Sequence, residues 1–74
     1  MKISKDTVDE IEYATLAARS IHPHFADNAF QVISLATEEL GEFAQAVNDK
    51  KPRKARQEAL DLIAVLVRYL EKDK

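Results

Sequence analysis

Two acidic motifs decide the fold that this sequence predicts: E-E-L-G-E at residues 38–42 and E-A-L-D at residues 58–61. Residues three and four apart share a face of a helix, so each motif directs carboxylates from one side of its own helix. The residues around both motifs are largely apolar. Like charges among apolar side chains are unfavourable unless a cation compensates them. The motifs therefore predict two helices that share a site for a divalent metal ion.

Three helices account for the apolar periodicity on either side of the motifs. The first is predicted from about Asp6 or Thr7 to Ser20, with Ser4, Asp6 and Thr7 as candidate N-caps. The second follows a cap at Asp27 or Asn28 and ends at about Asn48, and the third runs from Pro52 to about Leu70. The short turn between the second and third helices predicts an antiparallel helical hairpin. Residues 1–74 are thus expected to form a single all-α domain, consistent with one glycine and two prolines.

The third predicted helix is too apolar for a small protomer. Apolar residues cover more than half of its circumference: Leu60, Leu62, Ile63, Leu66, Val67, Tyr69 and Leu70. Two short helices of the same chain can hardly bury that surface. We therefore expect a homo-oligomer, a dimer or a tetramer, in which copies of the chain complete the helical bundle.

Composition excludes several other classes of protein. The chain has no cysteine, which rules out disulfides and thiolate metal ligands. Its net charge of −2 gives no reason to expect specific binding to nucleic acid, and no apolar run is long enough to span a membrane. The N-terminus lacks the apolar segment of a signal peptide. The expected location is the cytoplasm.

The polar positions of the two long helices form matching stripes. The stripe on the third helix consists of Lys54, Glu58, Asp61, Val65 and Arg68, and the stripe on the second consists of Gln31, Glu38, Glu42 and Gln45, with Glu39 beside it. Antiparallel pairing of the helices would bring four acids around one centre, namely Glu39, Glu42, Glu58 and Asp61. Oxygen ligands of this kind suit Mg²⁺, or Mn²⁺, rather than zinc. Acidic pairs at these spacings are also common on solvated helix faces.

Basic residues lie where they oppose the dipole of the third helix. Lys51, Arg53 and Lys54 surround its predicted N-terminus, where cations are unfavourable and phosphate is favoured. Metal-binding acids beside these bases indicate a site for Mg²⁺ and a polyphosphate, and Arg68 and Gln31, on the same polar stripes, are predicted to contact the substrate as well. The alternatives are that the bases form a solvated turn, that Arg68 pairs with a nearby acid or reaches solvent, and that Gln31 is an ordinary polar helix position rather than a residue that reads a base edge.

The paired motifs resemble those of the MazG-like, all-α nucleoside triphosphate pyrophosphohydrolases. That family's signature is E-E-x-x-E followed after a short turn by E-x-x-D, and the resemblance extends over about residues 30–70. It implies Mg²⁺-dependent hydrolysis of ribo- or deoxyribonucleoside triphosphates to the monophosphate and pyrophosphate, often as sanitation of the nucleotide pool.

Site residues follow from the resemblance position by position. The metal ligands would be Glu39, Glu42, Glu58 and Asp61, while Glu38 would orient or deprotonate the attacking water. Lys54 would match a phosphate-contacting lysine. Family members usually have a fourth helix, and many place an aromatic residue where this chain has Val65. We expect a partner subunit to supply the missing wall.

Two other functions are open to a helical chain with these motifs. One is a non-catalytic oligomeric interaction module that retains a metal-binding motif. The other, a carboxylate-bridged di-iron bundle, expects E-x-x-H pairs. Neither His22 nor His24 stands three residues after a motif glutamate, so we set the di-iron bundle aside.

Overall fold

The computed structural model describes residues 1–73 and contains three helices and no strand in that range: α1 (Lys5–Ile21), α2 (Ala29–Asn48) and α3 (Pro52–Leu70). The prediction of an all-helical chain is confirmed, and the bounds of α2 and α3 are those predicted. Among these residues no helix combines the length and the apolar character needed to cross a bilayer.

Side-chain caps fix where α1 and α2 begin. The hydroxyl of Ser4 accepts a hydrogen bond from the amide of Thr7 at 3.2 Å, and Oδ1 of Asn28 accepts one from the amide of Gln31 at 3.0 Å. Each bond satisfies one of the amides that a helix N-terminus leaves without a partner. α3 begins without a side-chain cap, and Pro52 at its first position supplies a backbone angle already suited to a helix.

Two lysines end α2 and α3 in the left-handed region of the backbone. Lys50 has a φ of 57° and Lys72 a φ of 58°. After each one the chain turns back and caps the helix, with the amide of Lys51 bonded to the carbonyl of Ala46 and the amide of Asp73 bonded to the carbonyl of Arg68. Glycine usually occupies this position because it carries no Cβ. The second of these turns directs Asp73 back over the end of α3.

α3 is the central helix, since it packs on both α1 and α2 while α1 and α2 do not contact each other. The buried apolar residues are small: Val32, Ala46, Ala55 and Ala64. No large side chain is completely buried among the described residues. Small residues let the helices approach closely, but they leave a thin core and many exposed apolar side chains. A cleft lies between α1 and α2, with residues of α3 along its floor.

Candidate metal centre and cleft

Three of the predicted acids meet where the middle of α2 faces the first half of α3. Glu39, Glu58 and Asp61 each offer one carboxylate oxygen, and these three oxygens lie within 4.8 Å of one another. Glu58 and Asp61 come from adjacent turns of α3 because they are three residues apart. All three residues are partly buried. This spacing allows one cation to contact all three carboxylates.

Two of the carboxylate oxygens lack any partner in the described residues. Oε2 of Glu39 and Oε2 of Glu58 are both shielded from solvent, and neither accepts a hydrogen bond. A buried polar atom without a partner costs about 1 to 3 kcal/mol, and more when the group is charged. A cation between the two residues would satisfy both oxygens.

Burial and repulsion between the carboxylates also raise the pKa of two acids of the cluster. Burial raises the pKa of Glu39 to about 7, and the negative charges of Glu42, Asp61 and Glu58 add to the effect. Burial also raises the pKa of Glu58, together with its contact with Glu42 and the charge of Asp61. Without a metal ion, protons therefore compensate part of the charge near neutral pH.

Glu42 and Lys54 lie beside the cluster, next to Glu58. Glu42 is exposed and is not one of the three residues whose oxygens converge, although its charge acts on both Glu39 and Glu58. Lys54 lies one turn before Glu58, and its charge lowers the pKa of Glu58 against the other effects. A small depression of about 280 Å³ is lined by both residues together with Glu58 and Asp49.

A larger cleft of about 750 Å³ also borders the cluster. Glu38, Glu39 and Asp61 lie along it, so the predicted water-activating residue and two predicted ligands face one space. Much of the remaining lining is apolar, with Leu60 and Ala64 on the floor. The cleft therefore combines an acidic end with an apolar groove.

Several residues at the cleft lie outside the two acidic motifs. Glu10 and Tyr13 line the cleft from α1, and His22 and His24 line it from the loop before α2. Gln57 on α3 donates a hydrogen bond from Nε2 to Oδ1 of Asp61 at 2.9 Å and so orients that carboxylate. The one signal available in the sequence was the four-residue spacing between Gln57 and Asp61, since nothing in α1 marks which of its faces meets α3.

Arg68 and Gln31, both predicted to contact substrate, lie away from the metal cluster and bind within the chain. Arg68 is 3% exposed. Its Nε donates to Asp73, its Nη1 to the carbonyl of Ala18 and its Nη2 to the carbonyl of His22. The Arg68 side chain thus caps the C-terminal end of α1, and it also lines the cleft.

Gln31 belongs to the cap of α2. Its side-chain oxygen accepts a hydrogen bond from the backbone amide of Asp27 at 2.8 Å, and its backbone amide donates to Oδ1 of Asn28. It is two helical turns from Glu38 and does not line the cleft. The side chain therefore stabilises the start of α2, a role that its position three residues after the cap explains.

Comparison with known proteins adds no relative: no model of a protein family, no curated protein and no solved structure matches the chain.

Proposed function

We propose that this protein is a Mg²⁺-dependent nucleoside triphosphate pyrophosphohydrolase of the kind that its paired motifs resemble. The observation that carries the proposal is the convergence of Glu39, Glu58 and Asp61 within 4.8 Å, beside two buried carboxylate oxygens that lack partners. A cleft of about 750 Å³ next to these acids is large enough for a nucleotide-sized ligand.

The donor set suits Mg²⁺, with Mn²⁺ as an alternative. All the donors are carboxylate oxygens, which hard cations prefer. Glu39, Glu58 and Asp61 would hold the ion, and Glu42 would join them through a change of rotamer. When bound, the ion neutralises charge on the polyphosphate and lowers the pKa of water coordinated to it.

The remaining roles belong to side chains of the chain itself. Glu38, which is exposed in the cleft beside Glu39, accepts a proton from the attacking water. The water oxygen bonds to the α-phosphorus, the bond from that phosphorus to the bridging oxygen breaks, and pyrophosphate leaves with the bonding electrons. Lys54 offsets the negative charge of that leaving group from beside Glu58. Each nitrogen of Arg68 already donates within the chain, so Arg68 takes no part in this scheme.

The proposal extends to the assembly and the setting of the enzyme. We infer one MazG-like domain in which α2 and α3 form an antiparallel hairpin, and a homo-oligomer that completes the helical bundle. Because nucleoside triphosphates are cytoplasmic metabolites, we place the reaction in the cytoplasm as sanitation of the nucleotide pool. The proposed partners are the triphosphate and further copies of the chain, not a membrane or a specific nucleic acid.

One experiment tests the activity. The purified protein is incubated with a panel of ribo- and deoxyribonucleoside triphosphates and Mg²⁺, and pyrophosphate is measured. Glu42→Gln and Glu58→Gln should each lower the rate by at least about tenfold, the loss of roughly 1.4 kcal/mol of transition-state stabilisation. Glu12→Gln, an exposed acid of α1 outside the cleft, is the matched control and should keep the wild-type rate.

Titration with Mg²⁺ by calorimetry gives a readout that is independent of turnover. Wild type should bind the ion, and Glu58→Gln should bind it at least about tenfold more weakly. If no nucleotide is cleaved, and Glu58→Gln binds Mg²⁺ as wild type does, the proposal fails.

The second candidate function is a non-catalytic helical interaction module. The thin core and the exposed apolar side chains favour it, because such surfaces on a small chain usually meet a partner. This reading predicts Mg²⁺ binding and self-association without release of pyrophosphate from any nucleotide.

A further inference from the structure

Arg56 and Glu10 form an ion pair between α3 and α1 that has no role in the hydrolysis proposed above. Nη2 of Arg56 donates to Oε1 of Glu10. The side chain of Arg56 is 58% exposed and that of Glu10 is 41% exposed. An ion pair in contact with water to this extent contributes little to stability, because each charge is already solvated without the other. The pair can therefore exchange partners at little cost.

This ion pair lies at the acidic end of the cleft. Glu10 lines the cleft from α1, and Gln57, the neighbour of Arg56, lines it from α3 and donates to Asp61. Leu60, one turn after Arg56 on the same face of α3, lies on the cleft floor. Since its partner Glu10 lines the cleft, the guanidinium group of Arg56 lies at the rim of this end.

The charge of the cleft is unfavourable for a polyphosphate. Four acids line it: Glu10, Glu38, Glu39 and Asp61. Arg68 is the one lysine or arginine among the described residues that line the cleft, and its nitrogens donate within the chain. One Mg²⁺ ion offsets only part of the repulsion between these acids and a triphosphate. A cation that turns in from the rim would offset more of it.

The shape of the cleft gives a bound triphosphate a direction. The apolar groove extends from Asp61 along α3, past Ala64 and Val65, to Arg68, roughly 10 Å further on. The base and the sugar are the least polar part of a nucleotide, so they match this groove. The pyrophosphate end then lies on the opposite side of Asp61, which is the end of the cleft beside Arg56.

We propose that Arg56 binds the pyrophosphate end of the substrate, and that its guanidinium group exchanges Glu10 for the β- and γ-phosphates. This inference rests on the proposed function. A planar guanidinium group donates two parallel hydrogen bonds to a phosphate, and such charge-assisted bonds are stronger than an exposed ion pair. Lys54 is two residues before Arg56 and thus on another side of α3, where it lines the small depression with Glu58. The two bases would offset the charge of the leaving group from two sides.

The two partners of the ion pair should have opposite effects on the binding of inorganic pyrophosphate with Mg²⁺, measured by calorimetry. Arg56→Gln removes a cation that contacts the ligand and should weaken binding by at least about tenfold. Glu10→Gln removes an acid that repels the ligand and also frees Arg56, so it should tighten binding by about threefold or more. An ion pair that only ties α1 to α3 predicts instead that both variants change binding in the same direction.

Matched controls separate this contact from general effects of charge and folding. Lys5→Gln breaks an exposed ion pair of α1, and Glu12→Gln removes an exposed acid of α1; both residues lie outside the cleft, so both variants should bind as wild type does. Circular dichroism melts should show that Arg56→Gln and Glu10→Gln lose the same small amount of stability, because they break the same ion pair. In the turnover assay, Arg56→Gln should raise the KM for the triphosphate by at least about tenfold.

The outcomes separate this inference from the proposed function. A folded Arg56→Gln that binds pyrophosphate as wild type does, or a folded Glu10→Gln that fails to bind it more tightly, overturns the inference even when wild type cleaves a triphosphate. Opposite changes in binding without any turnover support the phosphate contact and contradict the hydrolysis alone. A wild-type protein that neither binds pyrophosphate with Mg²⁺ nor cleaves a nucleotide overturns both.

Discussion

Replacing Glu39 with glutamine should stabilise the metal-free protein at alkaline pH. The pKa of Glu39 in the folded chain is raised from 4.5 to about 7, first by burial and then by the charges of Glu42, Asp61 and Glu58. Folding therefore binds a proton near neutral pH that the unfolded chain has already released. Glutamine has almost the same shape and carries no charge, so it removes this penalty.

The size of the stabilisation follows from the difference between the pKa of Glu39 in the unfolded chain and in the folded chain. A span from 4.5 to about 7, at about 1.4 kcal/mol for each pH unit, corresponds to about 3 kcal/mol. Water reaches part of this half-buried carboxylate, so we expect about 1 to 2 kcal/mol in practice. The sign is fixed: with the folded pKa raised, the contribution of Glu39 to stability is complete below about pH 4.5 and is lost as the pH rises through about 7.

Urea unfolding between pH 5 and pH 8.5, with chelator, measures the effect. Wild type should lose stability across this range, whereas Glu39→Gln should lose less and be the more stable protein at pH 8.5. Glu12→Gln controls for the loss of one exposed negative charge. Added Mg²⁺ should stabilise wild type more at pH 8 than at pH 5.5, because the ion and the proton compete for the same carboxylates. A Glu39→Gln protein that is less stable than wild type at pH 8.5 without metal, with an unchanged pH profile, would refute the reasoning.

Four further predictions concern residues at the helix ends. Arg68→Ala should cost about 2 kcal/mol of unfolding free energy in urea, because it removes the donor to the carbonyl of His22 and leaves Asp73 with Arg19 as its one guanidinium partner; a loss below about 1 kcal/mol would contradict the role of Arg68 as a buried cap. Asn28→Ala should cost about 1 kcal/mol by thermal unfolding, because it removes the side-chain cap of α2. Gln31→Ala should leave the KM for the triphosphate unchanged, because the Gln31 side chain bonds to Asp27 within the chain; a raised KM would show that Gln31 contacts the substrate. Lys50→Gly should raise the unfolding free energy by up to about 1 kcal/mol, since glycine adopts a φ of 57° without strain, and circular dichroism melts should detect the gain.

The helices were predictable because their signals are local. Asn28 and Pro52 mark the starts of α2 and α3 through interactions that reach only a few residues along the chain. The acidic cluster was predictable for a related reason. Once Glu39 is placed on one helix and Glu58 and Asp61 on the next, a short turn leaves few ways to pair them, and the structure does bring these three together.

The burial and the contacts of Arg68 could not be predicted from the sequence. A stripe drawn on an isolated helix puts Arg68 in line with Asp61, but it contains no information about what packs over each end of the stripe. The carbonyls at the end of α1 and the carboxylate of Asp73 are what bury Arg68. These contacts depend on the left-handed turn at Lys72 and on the path of α1, neither of which the sequence marks.

The attachment of α1 to α3 alone has a consequence for how the chain opens. A helix held along one side loses fewer buried contacts on detachment than one packed between two others, so α1 should be the first unit to unfold locally. Its amides should exchange with deuterium faster than those of α3, and protease should cut first in the segment of residues 22–28. Polar links that slow this opening are the Arg56–Glu10 and Arg19–Asp73 ion pairs and the hydrogen bonds from Arg68 to the carbonyls of Ala18 and His22. One wall of the cleft can thus leave while the three converging acids stay in place.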